Sequence, residues 1–114
     1  MAHHPIVHLD FEAEDPKALA AFYADLFGWN VHTDAQSDYT MFAAEGGPGG
    51  GFVGLSPGNH VIPYVQTEDI EATLAQAVAL GGKILVTKQE IPGGAWAVFA
   101  DPTGNKVGLL LKTA

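Results

Sequence analysis

His8 and Asp10 stand two residues apart in the run Ile6-Val7-His8-Leu9-Asp10-Phe11-Glu12-Ala13. An imidazole titrates near neutrality and can take or give a proton, while a nearby carboxylate can orient the ring. Residues two apart on a strand share a face, with Cα atoms about 6–7 Å apart, so direct contact depends on rotamer. The pair therefore offers a general base or a polar anchor. The competing reading is a lone histidine retained on a sheet face. Tyr64 is a second candidate, either a phenol that hydrogen-bonds a ligand carbonyl or a plain aromatic wall.

Other chemistries find little support. The chain has no cysteine, so disulfides and thiolate ligands are absent. No local signature of a Ser-His-Asp or Cys-His arrangement is present. The glycine-rich stretch Gly46 to Gly51 lacks the Lys-Ser/Thr of a phosphate loop and leads into a strand, so it reads as a mobile hairpin or lid beside the site. Trp29 and Trp96 read as core or dimer-interface aromatics. His3 and His4 lie in a short polar start and stay outside the site argument.

The 114 residues carry 13 acidic and 5 basic side chains, for a formal net charge of −8. Nucleic acid and anionic membranes would repel such a chain, and no Lys/Arg cluster offsets this. No apolar run suits a bilayer span, and no signal peptide is evident, so a cytoplasmic location is expected. At 47% hydrophobic residues the chain has the balance of one folded domain, 1–114.

Two helices are expected between short strands. Val7, Leu9, Phe11 and Ala13 alternate with polar residues along Ile6–Ala13. Asp15 suits an N-cap, and Pro16 the first helical position. Leu19, Phe22, Tyr23 and Leu26 then form an apolar stripe that Gly28 ends. Strands are expected over Trp29–Thr33, Tyr39–Ala44 and Phe52–Leu55. The pattern restarts with a strand over His60–Gln66 and an N-cap at Asp69. Ile70, Leu74, Ala77, Val78 and Leu80 make a second stripe. Strands over Lys83–Lys88, Trp96–Ala100 and Lys106–Leu111 follow, with a tight turn at Asp101-Pro102-Thr103-Gly104.

The restart is a repeat with an offset of 54 residues. Val7 matches Val61, Asp15 matches Asp69, Leu26 matches Leu80, and Gly28 matches Gly82. Gly54 and Leu55 match Gly108 and Leu109. In between, Tyr39 and Phe42 match Trp96 and Phe99, three residues further on. The units span about 6–56 and 60–112. The fold class is α+β, two tandem βαβββ units.

This arrangement resembles the vicinal oxygen chelate superfamily, which holds glyoxalase I, extradiol dioxygenases and bleomycin-resistance proteins. The resemblance rests on His8–Glu12, on Ala21-Phe22-Tyr23 through Leu26-Phe27-Gly28-Trp29, on Thr67-Glu68-Asp69-Ile70, on Ala79-Leu80-Gly81-Gly82-Lys83, and on Phe99-Ala100-Asp101-Pro102-Thr103-Gly104-Asn105. It implies a curved mixed sheet around a central cup, and a homodimer. Metal-dependent members take His, Glu or Gln ligands from the first and last strand of each unit. The resemblance carries those positions to His8, Gly54, Ile62 and Gly108. Only His8 is a ligand type, and a divalent metal needs about three protein ligands, so no metal or other cofactor is expected. If His8 faces the cup, alternation places Asp10, Phe52, Tyr64, Gln66 and Leu110 there as ligand-binding residues, with Leu9, Phe11, Val61 and Val65 under the helices.

The expected function is glyoxalase/bleomycin-resistance-like binding of a small organic molecule without a metal, the ligand being unassigned. The alternative is a metal-independent lyase or isomerase with His8 as catalytic base. A metal-dependent glyoxalase-type lyase or dioxygenase ranks behind both. The sequence does not decide between binding and catalysis.

Overall fold

The computed structural model describes residues 3–54 and 60–112. They form eight strands and two helices, an α+β arrangement that divides into two compact units. One unit comprises His8–Ile62, and the other comprises Met1–Val7 with Pro63–Ala114.

The N-terminal unit contains most of β1 (Ile6–Glu12), then α1 (Pro16–Phe27), β2 (Asn30–Thr33), β3 (Thr40–Ala43) and β4 (Gly49–Val53). Its strand order is β2-β3-β4-β1. β1 and β4 run parallel, while β2–β3 and β3–β4 are antiparallel. Asp15 caps α1 by accepting from the Ala18 amide at 3.1 Å, and Pro16 needs no hydrogen-bond partner there. Gly28 ends the helix in the left-handed region at φ 73°, its N–H donating to the Ala24 carbonyl at 2.8 Å.

Ala20, Phe42 and Phe52 form the buried core of this unit, with Leu9, Phe11, Leu19, Tyr23 and Trp29 packed against them. Leu9 and Phe11 thus lie under the helix, as alternation required. The rings of Trp29 and Phe42 stack at 4.4 Å, which makes Trp29 a core residue. The expected α1 stripe is only half used: Leu19 and Tyr23 reach the core, but Phe22 and Leu26 are exposed.

The C-terminal unit contains the rest of β5 (Val61–Gln66), then α2 (Ile70–Ala79), β6 (Lys83–Ile91), β7 (Gly94–Ala100) and β8 (Lys106–Lys112), in the order β5-β8-β7-β6. β5 and β8 are parallel, and the other pairings antiparallel. The local devices repeat as well. Asp69 caps α2 through the Ala72 amide at 3.0 Å, and Gly81 leaves the helix at φ 105°. Ile70, Leu74, Ala95, Ala97 and Leu109 form the core, with Val65 packed against it. Val61, expected under a helix, is exposed at the start of β5, as the first residue of that strand. The Asp101 turn closes on its own carboxylate, which accepts from the Thr103 and Asn105 amides at 2.9 Å.

The largest departure from the sequence reading is β4. It covers Gly49–Val53, so three glycines read as a loop are strand. Leu55, the expected end of that strand, lies outside the described residues. Glycine has poor strand propensity, and pairing on both sides overrides it: Gly50 and Gly51 register with Leu9 and Asp10 on β1 and with Phe42 and Met41 on β3. Among the described residues, no helix is long and apolar enough to cross a membrane.

Candidate functional site

β1 presents His8, Asp10 and Glu12 on the face opposite the helix. Asp10 and Glu12 are buried, at 8% and 4% exposure, whereas the His8 side chain is 24% exposed. Each buried carboxylate demands hydrogen-bond partners. The rotamers of His8 and Asp10 close the gap left by the backbone spacing: His8 Nε2 lies 2.8 Å from Asp10 Oδ1.

A third group joins them. The Tyr39 hydroxyl donates to Asp10 Oδ1 at 2.5 Å and lies 2.9 Å from His8 Nε2. The two rings are stacked, 6.4 Å between centroids and 27° between planes. With the phenolic proton on Asp10, the network assigns the His8 proton to Nε2, where it is shared with Oδ1 and the Tyr39 oxygen. The ring lone pair then falls on Nδ1. Asp10 thus holds the imidazole in one tautomer, the role a carboxylate plays beside a general base.

Tyr39 is positioned by the turn that precedes β3. The Asp34 carboxylate accepts from the Ser37 amide at 2.9 Å and from its hydroxyl at 2.7 Å, and the Asp34 amide donates to the Tyr39 carbonyl at 2.9 Å. The Ser37 hydroxyl bond, then its amide bond, holds the Asp34 carboxyl below the usual carboxylate range. Asp38 sits in the left-handed region at φ 60° to close the turn.

Beneath Tyr39 lies Gly51, the register partner of Asp10. A Cβ built on Gly51 would fall inside the Tyr39 ring, against its hydroxyl oxygen, Cζ and Cε1. No other residue type leaves room for the ring there. Sequence reasoning missed Tyr39 as a site residue; the available signal was a polar aromatic immediately before β3.

The structure corrects two expected site positions. Phe52 is not on the His8 face. It registers with Phe11, is 1% exposed, and belongs to the core under α1. Neighbouring register partners point the same way, so Phe52 follows Phe11 and Gly51 follows Asp10. For the same reason Gly54 does not match Gly108. Gly54 lies beyond β4, whereas Gly108 registers with Tyr64 on β5 and carries the Tyr64 ring where its Cβ would be. The counterpart of Gly108 is therefore Gly51. The three-residue shift seen between Tyr39 and Trp96 persists into the last strand.

The remaining positions lie elsewhere. Ile62 is buried and offers no donor atom. Tyr64, 7% exposed, shares the face of β5 opposite Val65 and the α2 core. Gln66 is exposed, and its carbonyl accepts from His4 Nδ1 at 2.9 Å. Leu110 is half-buried and registers with Gln66 and Trp96. Of the expected residues, His8 and Asp10 are brought together, and Tyr64, Gln66 and Leu110 belong to the C-terminal unit.

The glyoxalase-like domain family matches residues 6–110 of this sequence. The chain belongs to that family. That family membership places it in the vicinal oxygen chelate superfamily, and its fold is shared with solved structures of that kind. A member of the glyoxalase/bleomycin resistance protein/dioxygenase superfamily from Vibrio splendidus 12B01 superposes with a TM-score of 0.66 at 15% identity, covering 96% of this chain and 99% of that one. Methylmalonyl-CoA epimerase from Mycobacterium tuberculosis gives 0.72 at 13% identity, covering 100% and 94%. Anthracycline biosynthesis protein DnrV of Streptomyces peucetius is 30% identical over 118 residues, covering 83% of this chain and 42% of that protein. This glyoxalase-like domain thus spans about two fifths of the length of the curated relatives it matches.

The donor set of the domain does not fit the metal that the superfamily implies. Among the described residues no three His, Cys, Asp or Glu side chains converge as a metal site. Gly51 and Gly108 have no donor atom, and a side chain at either position would collide with a tyrosine ring.

Proposed function

We propose that this glyoxalase-like domain binds a small, partly apolar organic molecule against the His8 face of its N-terminal unit, without a divalent metal. The observation that carries the reading is the His8–Asp10–Tyr39 triangle, three polar groups within 2.9 Å of one another on a sheet face. Its two stacked rings offer a flat surface, and its polar atoms fix an orientation.

Charge supports a neutral or cationic ligand. The span 8–62 carries eight carboxylates against one lysine, Lys17, so nearly all the net charge of −8 lies in the unit that bears the site. Lys17 itself pairs with Asp38 at 3.4 Å. The relative named for anthracycline biosynthesis supports an aromatic class of ligand. A thermal-shift screen of amine-bearing aromatic antibiotics and neutral metabolites tests the reading. Stabilisation that His8→Ala abolishes is expected; a screen without a hit, alongside turnover of some substrate, overturns it.

A second reading is favoured by the His8–Asp10 contact: a metal-independent lyase or isomerase in which His8 Nδ1 takes a proton. A His8→Ala variant with full activity on an identified substrate rules it out. The family resemblance adds a homodimer to the proposal, which sedimentation of the purified protein checks, and a cytoplasmic location is proposed with it.

A further inference from the structure

In each unit a tyrosine ring lies over a glycine of the last strand: Tyr39 over Gly51, and Tyr64 over Gly108. Gly108 is a position at which the superfamily resemblance expects a metal-ligating side chain, and Gly51 is its counterpart by register. We infer that Tyr39 and Gly51 act as one device, in which the missing side chain at 51 admits the Tyr39 ring and Tyr39 becomes the positioning residue for His8.

The geometry makes each part depend on the next. Gly51 leaves its Cβ position to the ring. The ring brings its hydroxyl onto Asp10 Oδ1 and to His8 Nε2. Two donors on one carboxylate oxygen fix the Asp10 rotamer, and the fixed carboxylate holds His8 in the Nε2–H tautomer. The position that would carry a ligand is thus occupied by a hydrogen-bonding phenol. Restoring a carboxylate at residue 51 alone cannot rebuild a metal site, because the ring already fills the space. The inference rests on the proposed use of the His8 face, but it concerns how His8 is held rather than what His8 binds.

A double-mutant cycle tests it, with the ring ¹⁵N resonances of His8 as a readout that a merely structural glycine would not move. Gly51→Ala is expected to lower Tm by at least about 5 °C and to convert His8 from one tautomer to a mixture. In a Tyr39→Ala background the same Gly51→Ala change is expected to cost no further stability, because no ring remains to be displaced. Tyr39→Phe keeps the ring and supplies the tautomer measurement if Gly51→Ala does not fold; it is expected to give the tautomer mixture with the fold intact. Equal stability losses from Gly51→Ala with and without the Tyr39 ring overturn the inference. So does an unchanged His8 tautomer in Tyr39→Phe. Ligand stabilisation in the thermal-shift screen with an unchanged tautomer would sink this inference while leaving the binding reading standing.

Discussion

The Tyr39 hydroxyl donates to Asp10 Oδ1 at 2.5 Å across 29 residues of chain. Asp10 is otherwise a carboxylate at 8% exposure, and burying it without donors would be costly. The contact ties the turn before β3 to the strand that carries His8.

Removing that hydroxyl leaves Asp10 with one donor fewer. Tyr39→Phe is expected to destabilise the domain by about 1–3 kcal/mol, the range for leaving a buried acceptor without its partner. Urea denaturation measures it, and a loss below a few tenths would mean that water replaces the phenol. Affinity for any ligand found on the His8 face is expected to fall by about tenfold, which is about 1.4 kcal/mol.

Phe52 separates core from site. Phe52→Ala is expected to cost about 3–5 kcal/mol, since its ring is fully buried against Phe11 and Phe42. Phe52→Leu keeps most of the volume and is expected to leave ligand affinity unchanged while lowering stability modestly. Altered ligand selectivity in Phe52→Leu at unchanged stability would return Phe52 to the binding face.

The Asp34 turn predicts an acid sensitivity. The Asp34 carboxyl is held below its ordinary value of 3.8 by Ser37, so its ionised form favours the folded turn. That contribution is complete above the unfolded value and disappears as pH falls through the lower folded one. The turn amides of Ser37 and Tyr39 are therefore expected to lose exchange protection below about pH 4. Asp34→Asn is expected to remove the pH dependence; an unaltered profile in that variant would assign it to another carboxylate.

The two helix caps are equivalent by repeat and by geometry. Asp15→Ala and Asp69→Ala are each expected to cost about 1 kcal/mol, because each accepts an amide three residues on. The effects are expected to add, since the caps lie in separate units. Chemical denaturation of the two single variants and the double variant decides this.

The proposal of metal-free binding has a direct check. Protein purified without an affinity tag is expected to hold less than stoichiometric divalent metal by elemental analysis. Treatment with a chelator is expected to leave Tm unchanged. A chelator-induced drop that zinc or nickel reverses would overturn the metal-free reading.

The sequence by itself determined what depends on short-range pattern. Period-two alternation in Ile6–Ala13 separated His8 and Asp10 from Leu9 and Phe11. Asp15-Pro16 and Asp69 marked the helix starts, and Gly28 the first helix end, because capping is chemistry within one turn of chain. The 54-residue offset disclosed the βαβββ repeat and, with it, the family resemblance. Only the tertiary structure decided the register of β4. Gly49–Gly51 carry no side-chain pattern to read, and pairing with β1 and β3 alone makes them a strand. Taking Gly51 rather than Gly54 as the counterpart of Gly108 is a shift of three residues, and being odd it moved Phe52 from the expected site into the core and put Gly51 on the face of Asp10. It also brought in Tyr39, whose place depends on a distant glycine having no side chain. Contacts of that kind are set by which backbones lie side by side, and no local pattern of residue types encodes them.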